Sequence, residues 1–237
     1  VLGGAAATMY KTIPLSYPYD AAHPTGVEKK IAEVTGNDKI EVLLSSEVVS
    51  IAGAPGNYEA TVSVGGEERV IPCGSVVLAT GWVPQDTAVL KPLGYGKLKN
   101  VVTSREFEAM AKAGAIVRKS DGAKPQKVMF LLGVGDKLIP QEAKEAEAKA
   151  AALAAAANKE VDDAPKTNFS KQDTCKHLYY SSELTSVTAL KQANYVREFI
   201  PGGVAMVVYE HMMVPGINEL YYKAAQNDPS VMMTKGV

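Results

Sequence analysis

Three short stretches of this sequence hold residues that could meet a small molecule or a metal. The run "SVVLATGWVPQD", Ser75 to Asp86, passes from β-branched residues to Ala79-Thr80-Gly81, whose small side chains would let a ligand lie directly on the backbone. "LLGVGD", Leu131 to Asp136, sets Gly133 and Gly135 after an apolar run, the arrangement in which amides at a helix start hold a pyrophosphate. The third glycine of that fingerprint is missing, since Lys137 and Leu138 follow Gly135 and Ile139-Pro140 interrupts a helix. Glu210 has the chemistry of a ribose-binding acid but stands far beyond the usual spacing of about 20 residues. A nucleotide-type half-domain that keeps its shape without a ligand explains this turn equally well. Cys175-Lys176-His177 offers a thiol and an imidazole, yet no further cysteine or histidine stands at ligand spacing, and a structural thiol is the simpler reading. Cys73 beside Gly74 reads as a small packing residue, His23 and His211 stand alone, and Tyr179-Tyr180 and Tyr221-Tyr222 read as packing or interface residues. No side chain stands out as an acid, base or nucleophile.

Composition narrows the choice. With 237 residues, 46% of them apolar, the chain can bury one or two ordinary cores. A net charge of −1 with 22% charged residues leaves no basic footprint for nucleic acid or anionic lipid. Two cysteines in unrelated contexts make neither a disulfide framework nor a metal knuckle, and a reducing compartment suits them. Even the alanine-rich tract from Ala148 to Ala157 is too short and too closely flanked by Lys and Glu to cross a membrane. The opening "VLGGAAATMYKTIPL" has no signal-peptide pattern and reads as an entry partway through a domain, so a piece of a longer protein is expected.

The elements that would position these residues follow from periodicity. Val27, Ile31 and Val34 predict a short amphipathic helix stopped by Gly36. Five strand signals follow: Ile40–Leu44, Glu47–Ala52, Tyr58–Val64, Arg69–Cys73 and Ser75–Thr80. Pro55-Gly56-Asn57 and Gly65-Gly66 are hairpin punctuation, which makes the middle members an antiparallel meander. "TSREFEAMAKAG" predicts a helix capped by Thr103 or Ser104, with Glu106 or Glu108 favouring its start and Gly114 its end. The polar stretch "RKSDGAKPQ" then marks the expected boundary between residues 1–116 and 117–237. In the second part a strand at Val128–Leu132 is followed by a helix-prone Ala/Glu/Lys segment, Gln141–Lys159, and a polar loop at 160–174. A helix from Ser182 to Ile200 is striped by Leu184, Val187, Leu190, Ala193 and Val196. "VAMVVYE", "INELYYKAAQ" and "VMMTKG" complete a strand, helix, strand rhythm, the signature of a parallel sheet.

Gly3-Gly4, the meander and "VVLATG" together resemble flavoproteins of the pyridine nucleotide–disulfide oxidoreductase type. More narrowly, "LGGAAATMYKTIPL", "SSEVVSIAGAPGNYEATV", "LGYGKLKNVVTSREFEAM", "KVMFLLGVGD", "CKHLYYSSELTSVTALKQANYV" and "INELYYKAAQ" follow in order the pattern of the heterodisulfide reductase A-subunit family, including related subunits of the quinone-interacting membrane-bound oxidoreductase complex. The resemblance implies an α/β fold, a partial two-dinucleotide-binding-domain flavoprotein. Residues 1–116 would be part of an FAD domain with its meander, and 117–237 an inserted Rossmann-like, NAD(P)-type domain with a helical insertion. It implies FAD in the full-length parent, with Gly3, Gly4, Ala79, Thr80 and Gly81 against the cofactor and the Val48 backbone at its adenine. The implied function is electron transfer with other redox subunits, iron–sulfur proteins by family analogy, in a cytoplasmic complex that associates with a membrane only through its partners. This chain departs from the family where cysteine-rich stretches are usual: "CKHLYYSS" keeps only Cys175 and "GGEERVIPCG" carries no ferredoxin-like insertion, so no iron–sulfur cluster is expected from these residues. Two other functions remain open on the residues alone. One is an assembly module that has lost cofactor binding and docks through its Ala/Glu/Lys helix; the other is an ordinary NAD(P)H-dependent flavin reductase.

Overall fold

In the computed structural model, residues 2–133 and 183–236 are described. The expected helix at Gln141–Lys159, the loop at 160–174 and the Cys175-Lys176-His177 and Tyr179-Tyr180 groups lie outside them. In chain order, a 3-10 helix at Gly4–Thr8 leads to two short antiparallel strands, β1 (Lys11–Thr12) and β2 (His23–Pro24). Helix α1 (Val27–Thr35) precedes β3 (Ser46–Ala54), β4 (Asn57–Val64) and β5 (Glu67–Cys73). A second 3-10 helix, Thr87–Leu93, and α2 (Ser104–Lys112) come before β6 (Lys127–Leu131), α3 (Glu183–Phe199), β7 (Val204–Tyr209), α4 (Asn218–Gln226) and β8 (Val231–Lys235). The protein is thus of mixed α/β type, with one antiparallel and one parallel three-stranded sheet, as the sequence pattern requires.

By packing, the described residues form two compact units. One holds the meander, residues 28–83 with the first residues to Gly4; the other holds residues 5–27, 84–133 and 183–236.

The meander runs β3-β4-β5, and its first hairpin closes with Ala54 opposite Asn57 across Pro55-Gly56. The second turns through Gly65 and Gly66, both at positive φ, the backbone that a two-residue hairpin turn demands. A bulge falls between Val48 and Ser50. Only Val62 of the three strands is buried. A sheet with one buried side chain draws little from the hydrophobic effect, so backbone pairing and the turns carry most of its order.

Two of the five expected strands do not form. Ile40–Leu44 and Ser75–Thr80 lie in no strand. β-branched residues favour an extended backbone, but a strand is held by a neighbour's amides and carbonyls, and among the described residues no strand runs beside either segment. The apolar side chains are left uncovered: Val77 is 86% and Leu78 72% exposed.

In the second unit, strands β6, β7 and β8 pair in parallel in sequence order, with Val128 opposite Ala205 and Val207 opposite Met233. Alternation sends Val128, Phe130, Ala205, Val207 and Val231 into the core against Ala193 and Val196 of α3, while Met129, Leu131 and Met232 face out. Phe107 of α2 meets Phe130 edge to face at 5.3 Å. Tyr221 and Ala225 of α4 close a second cluster on Val187 and Leu190. Helix α2 starts as its sequence demands: Thr103 Oγ1 accepts from the Glu106 amide at 3.2 Å, and Glu106 returns the bond by accepting from the Thr103 amide at 2.8 Å. "RKSDGAKPQ" is an ordered loop, with Arg118 paired to Asp121 at 2.7 Å and Lys124 Nζ donating to the Phe199 carbonyl at 3.0 Å.

One buried carboxylate makes this unit acid-sensitive. Burial raises the Asp228 carboxyl, but bonds from the Ser230 hydroxyl (2.6 Å) and amide (2.9 Å), with the Arg197 guanidinium at 2.5 Å, outweigh it and hold the group below its ordinary value. A carboxyl lowered by folding stabilises the protein above its unfolded pKa, and that contribution disappears as pH falls through the folded value. The Asp228→Asn variant is therefore expected to lose stability at neutral pH and to show a shallower decline than the wild type as the pH falls below about 4, read from urea midpoints.

Candidate functional site

The six residues singled out for a flavin fall into three backbone features of the meander unit. Gly3 and Gly4 begin the Gly4–Thr8 turn at φ 83° and 48°, a left-handed backbone that favours glycine. No atom lies within 4 Å of where a Gly4 Cβ would stand. Val48, 46% exposed, sits on β3 opposite Val62, just before the bulge. Ala79, Thr80 and Gly81 are exposed in a segment without regular structure, and Gly81 turns at φ 70°, again with nothing within 4 Å of an added Cβ. Gly4 and Gly81 therefore each present an open ledge rather than a turn packed under its own side chains. That fits a planar cofactor lying against the backbone, because glycine at these two points leaves the approach clear. The absence of a strand at 75–80 leaves the ledge without the sheet that would normally hold it.

Sequence reasoning passed over two further features, both in the parallel-sheet unit. A cleft of about 580 Å³ opens at the carboxyl ends of β7 and β8, where ligands bind in parallel α/β sheets. Tyr209, Glu210, His211, Met212, Tyr222 and Lys235 line it. Glu210 thus stands where its position after a strand suggested, with His211 Nε2 at 3.8 Å. Lys235 joins it through the parallel register that sets it opposite Tyr209, and Tyr222 from α4, neither of which a local pattern reveals.

The second is a buried polar cluster. Glu108, 6% exposed, accepts at Oε1 from the Tyr10 amide (2.9 Å), the Tyr195 hydroxyl (3.0 Å) and Lys191 Nζ (3.1 Å), and at Oε2 from Gln192 Nε2 (2.9 Å). Lys191, 4% exposed, also donates to the Lys11 carbonyl at 2.8 Å, and the Lys11 amide donates to the Tyr195 oxygen at 3.2 Å. Burial first, then the Glu108 charge and its hydrogen bond, push the Tyr195 phenol far above its ordinary value, so it remains a donor at any physiological pH. Tyr221 is pushed up to about 12, mainly by burial. Gln192 Oε1 is buried without a partner. On the surface of the same cluster, Glu198 binds both Lys11 Nζ at 2.7 Å and the Tyr10 hydroxyl at 2.6 Å. Glu108, expected only to favour the start of α2, is instead the centre of this network.

Among the described residues, no group of three or more His, Cys, Asp or Glu side chains is arranged to hold a metal, and no helix is long and apolar enough to cross a membrane. Cys73, half-buried at the end of β5, is a free thiol.

No family model matches the chain. Curated relatives do. One of two iron-sulfur A-subunits of CoB–CoM heterodisulfide reductase in Methanopyrus kandleri is 26% identical over 176 residues, covering 72% of this chain and 22% of that protein. The iron-sulfur A-subunit of CoB–CoM heterodisulfide reductase in Methanocaldococcus jannaschii matches at the same identity and length. Over 103 residues, 41% of the chain, the A-subunit of the H(2):CoB-CoM heterodisulfide,ferredoxin reductase of Methanothermobacter marburgensis is 33% identical, covering 15% of that protein. The chain therefore matches no more than about a fifth of the length of these relatives. Over 72% of its own length, the chain is similar in sequence to heterodisulfide reductase A-subunits.

Proposed function

We propose that this chain is the central part of an FAD-dependent electron-transfer subunit, in a complex of the heterodisulfide reductase or quinone-interacting oxidoreductase kind. The observation that carries the proposal is the similarity over 72% of the chain to subunits of an oxidoreductase, read together with the open glycine ledge. In the longer protein, Gly3, Gly4, Ala79, Thr80 and Gly81 line the cofactor and the Val48 backbone faces its adenine. FAD supplies one- and two-electron chemistry; the residues of this chain supply contact, exclusion of water and tuning. The uncovered Val77 and Leu78 support the reading, because a run that is apolar on both alternating faces is the pattern of a strand inside a covered parallel sheet. Residues 1–116 then belong to the flavin domain and 117–237 to the inserted one. The partners are other redox subunits, iron–sulfur proteins among them, and the assembly is cytoplasmic, reaching a membrane only through those partners.

The test is the visible spectrum of the full-length protein. A yellow protein that keeps its colour through desalting is expected, and Gly81→Val, which places a branched side chain on the ledge and strains a left-handed position, should release the flavin. A colourless wild type that takes up no added FAD would overturn the proposal.

A further inference from the structure

We infer that the cleft between the 94–101 turn and the start of α2 is a binding site for a phosphoryl group, free or carried by a small ester. It lies wholly within the parallel-sheet unit and does not depend on the flavin reading. The sequence concentrates charge here: Lys91 to Arg105 holds four basic residues and no acidic one, in a chain whose net charge is −1. The fold gathers part of that charge around a hollow of about 180 Å³, whose lining includes Tyr95, Lys97, Leu98, Lys99, Glu106 and Lys119.

The walls are built from the protein's own bonds. The Lys97 and Leu98 amides both donate to the Gly94 carbonyl, at 3.0 and 2.7 Å. Gly94, at φ 85°, lets the Leu98 side chain close in, since an added Cβ would stand 2.7 Å from Leu98 Cδ1. Asn100 ties the next loop to this turn: its Nδ2 donates to Ser120 Oγ at 3.0 Å, and its Oδ1 accepts from the Ser120 amide at 3.1 Å. That pair sets Lys119 beside the turn that carries Lys97 and Lys99. Glu106, the carboxylate of the lining, has both oxygens committed. Oε1 accepts from Lys119 Nζ at 2.5 Å, and Oε2 from the Thr103 amide at 2.8 Å and hydroxyl at 3.0 Å. Among the described residues, Lys97 and Lys99 have no carboxylate partner. Three ammonium groups against one carboxylate leave the cleft two positive charges, which a phosphate dianion would neutralise.

Lysine suits such an ion, because an ammonium is a compact charge with freely turning donors. A planar carboxylate is better met by the fixed fork of arginine, and among the described residues no arginine lines the cleft. Size sets the other limit. Pockets for drug-sized molecules run from roughly 300 to 1,000 Å³, so this one takes a single small charged group rather than a whole nucleotide.

The test is lysine acetylation of the full-length protein, read residue by residue by mass spectrometry with and without inorganic phosphate. Phosphate is expected to slow modification of Lys97 and Lys99 in a saturable way, about fivefold at four times the half-saturating concentration, and to leave the exposed Lys29 unchanged. Protection by glycerol 3-phosphate at lower concentration than by phosphate identifies an ester as the ligand; equal or weaker protection identifies the free ion. Lys97→Gln together with Lys99→Gln removes no described hydrogen bond and should weaken the phosphate protection of Lys119 about tenfold. Protection that does not saturate, or that sodium chloride or acetate reproduces at matched ionic strength, would overturn the inference. So would undiminished protection of Lys119 in the double variant.

Discussion

Glu108→Ala is expected to destabilise the parallel-sheet unit by about 3 to 5 kcal/mol, a large share of the roughly 5 to 15 kcal/mol that holds a domain together. The carboxylate takes four hydrogen bonds from Tyr10, Tyr195, Lys191 and Gln192. Without it, Lys191 Nζ stays buried with only the Lys11 carbonyl as a hydrogen-bond partner, and the Gln192 amide, already missing one partner, keeps only the Ser104 carbonyl. Each group left unmatched away from water carries its own desolvation cost. Urea unfolding followed by tyrosine fluorescence should show a midpoint well below wild type for Glu108→Ala, and one much closer to wild type for the Glu108→Leu, Lys191→Met pair. Equal midpoints for wild type and Glu108→Ala would mean that the network carries no net stability.

The second large effect is expected at Gly53. This residue faces Tyr58 in the β3–β4 register at φ 93°, and an added Cβ would stand 2.2 Å from the Asn57 carbonyl oxygen. The obstacle is backbone, with no side chain able to swing away, so Gly53→Ala must open the hairpin at its tightest point. A cost of about 2 to 4 kcal/mol follows from the clash and the left-handed backbone together. Because Val62 is the only buried side chain of the three strands, little else can absorb that loss. Limited proteolysis should cut Gly53→Ala within residues 46–73 under conditions that spare the wild type, while leaving 183–236 resistant. Unchanged resistance of the meander would refute the argument.

What the sequence disclosed and what it hid divide along the range of the interactions concerned. The Thr103–Glu106 capping box, the turns at Gly56 and Gly65-Gly66 and the α3 stripe of Val187, Leu190, Ala193 and Val196 depend on residues a few positions apart, so spacing alone revealed them. The parallel order of β6, β7 and β8 was legible because strand and helix signals alternate along this part of the sequence, although the expected insertion after β6 lies outside the described residues. Ser75–Thr80 and Ile40–Leu44 carried the right residue types for strands, but pairing needs a neighbour that composition does not supply. The Glu108 network was hidden for the same reason, since Tyr10 lies 98 positions away and Lys191 83. Lys191, charged and on a helix, gave every local sign of facing water and is 4% exposed. At the proposed site, the glycines of the ledge were legible as small residues, and their openness needed the fold.

The route of the backbone has a consequence for how the molecule could be divided. Residues 5–27 pack with the parallel-sheet unit, the chain then departs to build the meander, and it returns only at Pro84. A single cleavage anywhere in the excursion would leave residues 5–27 attached to α2 and α3 by the Glu108 and Lys191 bonds and the Tyr10 ring, without a covalent tether. The parallel-sheet unit is in that sense a natural two-piece complementation system, in which the segment holding residues 5–27 can be withdrawn, labelled and returned to its seat.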